Sequence, residues 1–97
     1  MTTVSPQAVT LANVASSASS VTLFAAATGR VNMRVIFNDS TQVLYVALDG
    51  SVASTSNYTV QIAAGGYYEL PCPGDVPGGR VTGIWAAANG FARLTSW

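Results

Sequence analysis

The chain has 97 residues, of which 49% are hydrophobic and only 8% are charged; four arginines and four acidic residues give a formal net charge of zero. Ordinary soluble domains carry about 25% charged residues, so polar uncharged side chains must supply the solubility. The balanced charge predicts neither nucleic acid nor an anionic membrane as a partner. The length predicts one domain. The low charge favours a protein that functions in stable contact with other proteins.

Export and membrane insertion are not indicated by the sequence. The N-terminus lacks the basic region and apolar run of a signal peptide, and no apolar run approaches the roughly 20 residues that span a bilayer. Cys72 is the only cysteine. Because no disulfide can form within the chain and no histidine can activate the thiolate, we interpret Cys72 as inert. Residues 38–40 and 57–59 match the glycosylation sequon, and we interpret both matches as chance.

The first 20 residues carry no charge and are rich in Ser, Thr, Ala and Val. Residues 15–20 are of low complexity, which favours flexibility, whereas residues 8–12 have the composition of a short strand. We therefore predict that residues 1–20 form a flexible N-terminal arm or an edge strand on a loose linker. As an arm they would either order on contact with a neighbour or stay disordered. A β-sandwich domain is predicted over 21–97.

Two runs of β-branched and aromatic residues, 30–38 and 42–48, flank a polar turn and predict a β-hairpin. The first run alternates between an apolar and a polar face, namely Val31, Met33, Val35 and Phe37 against Arg30, Asn32 and Arg34. The second run is apolar on both faces, because Val43, Tyr45 and Ala47 alternate with Leu44, Val46 and Leu48. A strand of this kind is central, or its outer face contacts another subunit.

Further strands are predicted at 21–25, 58–62, 67–70, 80–86 and 91–95. Asn89-Gly90 is a two-residue hairpin signal that would pair the last strand back onto 80–86. The segment 71–79 holds three prolines and three glycines and is predicted to be irregular. The spacing of strands and turns predicts an all-β, antiparallel β-sandwich of about seven to eight short strands, either jelly-roll or Ig-like.

No constellation for catalysis is present. General acid–base chemistry at neutral pH needs a tuned base, most often histidine, and the chain has no histidine and no lysine. Asp39 and Asp49 lie in predicted turns, where carboxylates usually cap backbone amides; Glu69 lies on a predicted strand and Asp75 in the Pro/Gly-rich segment. A calcium site built from Asp carboxylates and loop carbonyl oxygens is retained as an alternative, although the spacing of an EF-hand is missing. We assign no catalytic, cofactor-binding or metal-binding residue, and predict that the protein is not an enzyme.

The aromatic residues offer a different kind of site. Tyr67 and Tyr68 are consecutive on a predicted strand, so one of them should point outward. Trp85 alternates with Val81 and Gly83 and is expected in the core. An exposed aromatic ring could stack on a sugar; stacking on nucleobases would normally require a basic groove as well.

Six motifs lie within about residues 21–95, namely FNDST at 37–41, VLYV at 43–46, YTVQI at 58–62, AGGYYELP at 64–71, VTGIWA at 81–86 and NGFAR at 89–93. Together they resemble the small virion proteins of tailed bacteriophages. The resemblance implies a β-sandwich structural component of the virion, without catalytic residues or a cofactor. It favours a capsid decoration or cement protein that binds the outer capsid surface and stabilises the head. The alternative is a tail, baseplate or fibre-associated module, with or without binding of a host glycan. The implied partners are the major capsid protein or another virion protein, and further copies of the chain, as a homotrimer at capsid three-fold positions.

Overall fold

The computed structural model describes residues 9–29, 31–70 and 78–97. Within these residues there is no helix, and eight strands form two antiparallel sheets of four strands each. The all-β sandwich predicted from the sequence is thereby confirmed. Residues 1–8 of the predicted arm, Arg30, and the segment 71–77 with Cys72 and Asp75 lie outside the described residues. The strands are β1 (Thr10–Ala15), β2 (Val21–Phe24), β3 (Arg34–Asp39), β4 (Leu44–Ala47), β5 (Val60–Ile62), β6 (Tyr67–Glu69), β7 (Val81–Trp85) and β8 (Phe91–Ser96).

The strand order is β1-β8-β3-β6 in one sheet and β2-β7-β4-β5 in the other. The pairs β1·β8, β2·β7, β3·β6 and β4·β5 are nested, and the pairs β3·β8 and β4·β7 complete the two sheets. This nested order is that of an eight-stranded jelly roll. It decides between the two predicted topologies, since it is not the strand order of an Ig-like sandwich.

Two predicted hairpins are wrong. β3 and β4 lie in different sheets, and β8 pairs with β1 and β3 instead of with β7. The predicted turns do reverse the chain, but each connection crosses from one sheet to the other. Consecutive strands can then both turn an apolar face towards one shared core. Gly90 makes one crossing possible, because it has a φ of +85° and a Cβ there would lie 2.3 Å from the carbonyl oxygen of Asp39.

The predicted facing of β3 is also wrong, because its supposedly polar side is the buried one. Arg34, Ile36 and Asn38 point into the sandwich, while Phe37 is exposed. Arg34 can be buried because its guanidinium donates to the carbonyl oxygens of Gly79 (2.7 Å) and Ala25 (3.0 Å). It also lies 4.8 Å from the centre of the Phe24 ring. Backbone acceptors and an aromatic face thus replace the water that a charged group needs.

Asn38 is fully buried between the sheets. Its Nδ2 donates to the carbonyl oxygens of Gln42 (2.8 Å), Ile62 (2.9 Å) and Ala63 (3.2 Å). Its Oδ1 accepts from Trp85 Nε1 at 3.1 Å, so the side chain links β3 to β7 of the opposite sheet. Trp85 lies in the core, as predicted. The sequon at 38–40 offers no accessible amide in the folded chain.

Both sheets contribute to one hydrophobic core, formed by Leu23, Phe24, Ile36, Leu44, Val46, Ile62, Leu70, Val81, Trp85, Ala92 and Leu94. The outer side of the β2-β7-β4-β5 sheet is partly covered by the chain itself. Tyr58 lies against Tyr45 of β4, with ring centres 5.0 Å apart. Thr82 of β7 is buried and donates to the carbonyl oxygen of Ser51 at 2.6 Å. The loop between β4 and β5 thus accounts for apolar side chains on the outer face of β4 without a neighbouring subunit.

Candidate functional surface

Five of the eight exposed large hydrophobic residues among the described residues lie on the outer face of the β1-β8-β3-β6 sheet or directly at its end. This set, which we call the outer patch, consists of Leu11, Phe37, Tyr67, Phe91 and Trp97. Each strand contributes through its odd-numbered positions, since side chains alternate between the two faces of a strand. Trp97 follows β8 and continues the alternation, with its backbone N–H and C=O bonded to Met33.

Strand pairing makes the outer patch continuous. In the central row across the sheet, Asn13 lies beside Arg93, Arg93 beside Phe37, and Phe37 beside Tyr67. Phe91 lies one row away, and Leu11 lies one row away on the other side of the central row. Directly opposite residues have Cβ atoms about 4.5–5.5 Å apart, so the rings and the Arg93 side chain form one surface across four strands.

Arg93 is held across this surface by three neighbours. Its Nε donates to Asp39 Oδ2 at 2.9 Å, and a terminal nitrogen donates to Asn13 Oδ1 at 3.0 Å. The guanidinium carbon lies 4.5 Å from the centre of the Phe91 ring. Because Arg93 and Asp39 are both largely exposed, the ion pair stabilises the fold by at most about 1 kcal/mol. Its structural effect, together with the Asn13 bond, is to hold the guanidinium over the Phe91 ring.

Tyr67 and Tyr68 point to opposite faces of the sheet. The prediction that one of the two points outward is confirmed. Tyr67 is 67% exposed, whereas Tyr68 packs against the core. The two rings therefore do not line a common pocket. The neighbour of Tyr67 on its own face is Phe37.

The carboxylates of the described residues lie on three different elements, namely β3 (Asp39), the loop after β4 (Asp49) and β6 (Glu69). Among the described residues no three His, Cys, Asp or Glu side chains are grouped so that they could hold a metal ion. Asp49 Oδ1 accepts hydrogen bonds from the hydroxyl (2.6 Å) and the backbone N–H (3.0 Å) of Ser51. These bonds, the hydroxyl first, hold the pKa of Asp49 below its ordinary value. The predicted capping role is confirmed for this residue.

Neither a membrane-spanning helix nor a similar protein indicates the function. No helix long and apolar enough to cross a membrane occurs in the part of the chain that the structure describes. No family model, no curated protein and no solved structure matches the chain. Function is therefore inferred from the outer patch and from the motifs in the sequence.

Proposed function

We propose that the protein is a structural component of a bacteriophage virion, namely a capsid decoration or cement protein that attaches to the outer surface of the head. The outer patch is the observation that carries this proposal. Large exposed apolar surfaces on small folded domains mark sites of protein contact, and here the exposed aromatic residues concentrate on one sheet face. The virion motifs and the low charge support the same assignment.

Attachment to the capsid would be non-covalent and would depend on the burial of apolar surface. Burial of apolar surface contributes roughly 25 cal/mol per Å², and aromatic residues and arginine are the residue types that dominate binding energy in interfaces. The outer patch presents Phe37, Tyr67 and Phe91, and the Arg93 side chain lies beside two of these rings. Because Asp39 and Asn13 already hold Arg93, little side-chain freedom is left to lose on binding.

A tail, baseplate or fibre-associated module that binds a host glycan is the second candidate. The exposed Tyr67 ring beside Phe37 favours it, since sugars present an apolar face that stacks on aromatic rings. The two candidates differ in where the protein sits in the particle and in how many copies are present.

Quantitative mass spectrometry of purified phage particles distinguishes the candidates. A decoration protein should occur in copy numbers comparable to those of the major capsid protein. A handful of copies would support the tail, baseplate or fibre module instead. Absence of the chain from particles would overturn both assignments.

A matched pair of variants tests whether the outer patch makes the contact. Tyr67 and Val52 are similarly exposed, at 67% and 65%, but Val52 lies in the loop that follows β4. Tyr67→Ser should weaken binding to particles that lack the protein by roughly tenfold, the loss typical of an interface aromatic. Val52→Ser should bind like the unaltered protein. Equal binding of both variants would contradict attachment through this face.

A further inference from the structure

β1 is an edge strand without the features that normally protect an edge. It lies at one end of its sheet, and no strand in the described part of the chain pairs with its outer side. Natural edge strands commonly carry charges, prolines or bulges that prevent pairing with another chain. β1 reads TLANVA, and no charged residue occurs before Arg30. Leu11 is 75% exposed, and only Val14 of this strand packs against the core.

The hydrogen bonds show which backbone groups face the open edge. Ser16 donates its N–H to the carbonyl oxygen of Gly90, in line with β8. In an antiparallel ladder, alternate residues direct both N–H and C=O to the same neighbour. Ala12 and Val14 therefore face β8, while Leu11, Asn13 and Ala15 direct their N–H and C=O groups away from it. The Met33–Trp97 bonds on the far side of β8 fit the same alternation.

We propose that β1 pairs with β1 of a second copy of the chain, antiparallel and across a two-fold axis. Outward-facing residues of one strand must lie opposite outward-facing residues of the other. The register that uses all three such residues places Asn13 opposite Asn13 of the second copy, and Leu11 opposite Ala15 of the second copy. The two sheets then form one sheet of eight strands, with the two outer patches on the same side.

The side chains are complementary in this register. Leu11 would lie beside Ala15 of the second copy, whose own neighbour within the sheet is Phe91. On the inner side, Ala12 would lie opposite Val14 of the second copy. Each exposed apolar side chain of the strand thus meets an apolar position, and no charge is brought to the edge. A zero net charge adds no repulsion between copies.

This contact is independent of the virion assignment and differs from the homotrimer predicted from capsid symmetry. Sedimentation equilibrium over a range of concentrations should give the mass of a dimer for the unaltered protein. Leu11→Lys places a charge at the edge and should raise the dimer dissociation constant by about tenfold or more. Val52→Lys, at a similarly exposed position, should leave it unchanged. Circular dichroism should show both variants folded.

A second variant tests the register. In the proposed register the two Asn13 residues form a hydrogen-bonded pair, whose Cα atoms lie about 5.5 Å apart, within the Cα range of a disulfide. Asn13→Cys, combined with Cys72→Ser, should therefore form a disulfide-linked dimer under mild oxidation. A protein that is monomeric at every concentration would overturn the proposal. So would an oligomer whose mass Leu11→Lys leaves unchanged, a trimer included.

Discussion

The Asn38 side chain forms a buried hydrogen bond between the two sheets. It meets three backbone carbonyls, the Ser40 hydroxyl and the Trp85 indole in a site closed to water. Asn38→Ala would remove the acceptor of the buried Trp85 indole N–H and one donor from each of the three carbonyls. The carbonyls of Gln42 and Ala63 would keep the Ser40 hydroxyl and the Gly66 N–H as donors. We expect the free energy of unfolding to fall by about 2–4 kcal/mol. Urea denaturation measures this loss. Asn57→Ala, at an exposed asparagine, should change it by less than about 0.5 kcal/mol. Similar effects of the two variants would contradict a linking role for Asn38.

Alanine substitutions at Gly90 and Gly65 distinguish the cost of backbone strain from the cost of a steric clash. Both have positive φ angles, +85° and +76°, but a Cβ at Gly90 would collide with the backbone of Asp39 and Ser40, whereas a Cβ at Gly65 meets nothing within 4 Å. Gly65→Ala should therefore lower the free energy of unfolding by about 1–2 kcal/mol, from the left-handed conformation alone. Gly90→Ala should lower it by more than about 3 kcal/mol. Thermal denaturation of the pair tests this, and equal losses would show that the chain relaxes around the added methyl group.

At the scale of strands, the sequence predicts where the chain turns better than it predicts which strands pair. The polar turn after β3 and the Asn89-Gly90 turn before β8 both lie between strands, as expected. Both turns connect strands of different sheets. The sequence does not reveal this, because turn residues specify only local backbone angles. The pairing partner depends on contacts between strands far apart in the sequence, such as β1 with β8. Among the consecutive strands of the described residues, only β4 and β5 form a hairpin.

The facing of β3 could not be read from hydrophobicity for a related reason. Period-two alternation correctly separates its two faces, but hydrophobicity assigns Val35 and Phe37 to the core. The buried face instead holds Arg34 and Asn38, whose donors meet carbonyl groups of other segments. Such acceptors exist only after the fold has formed, so a single sequence offers no signal for them.

At the scale of the whole molecule, the outer patch is assembled from four distant parts of the chain. Tyr67 could be proposed from the alternation of two tyrosines, but Leu11, Phe37 and Phe91 could not be joined to it. The sequence predicts an arm or edge strand around Leu11, an inward-facing side chain for Phe37 and, for Phe91, a hairpin that does not form. The nested pairing of a jelly roll places them on one face. The composition favours contact with other proteins but does not indicate which surface would make it.

The response to pH should also reflect the composition of the whole chain. With no histidine, no side chain of ordinary pKa titrates between about pH 5 and 8, so we expect a constant free energy of unfolding from about pH 5 to 7. Asp49 has a lowered pKa in the folded state because Ser51 bonds to its carboxylate. Its stabilising effect is complete above the unfolded pKa of about 3.9 and is lost as the pH falls through the lower folded value. Asp49→Asn keeps an acceptor oxygen but does not titrate, so urea denaturation should show a smaller loss on acidification below about pH 4. An equal acid loss in the variant would show that Asp49 contributes nothing to it.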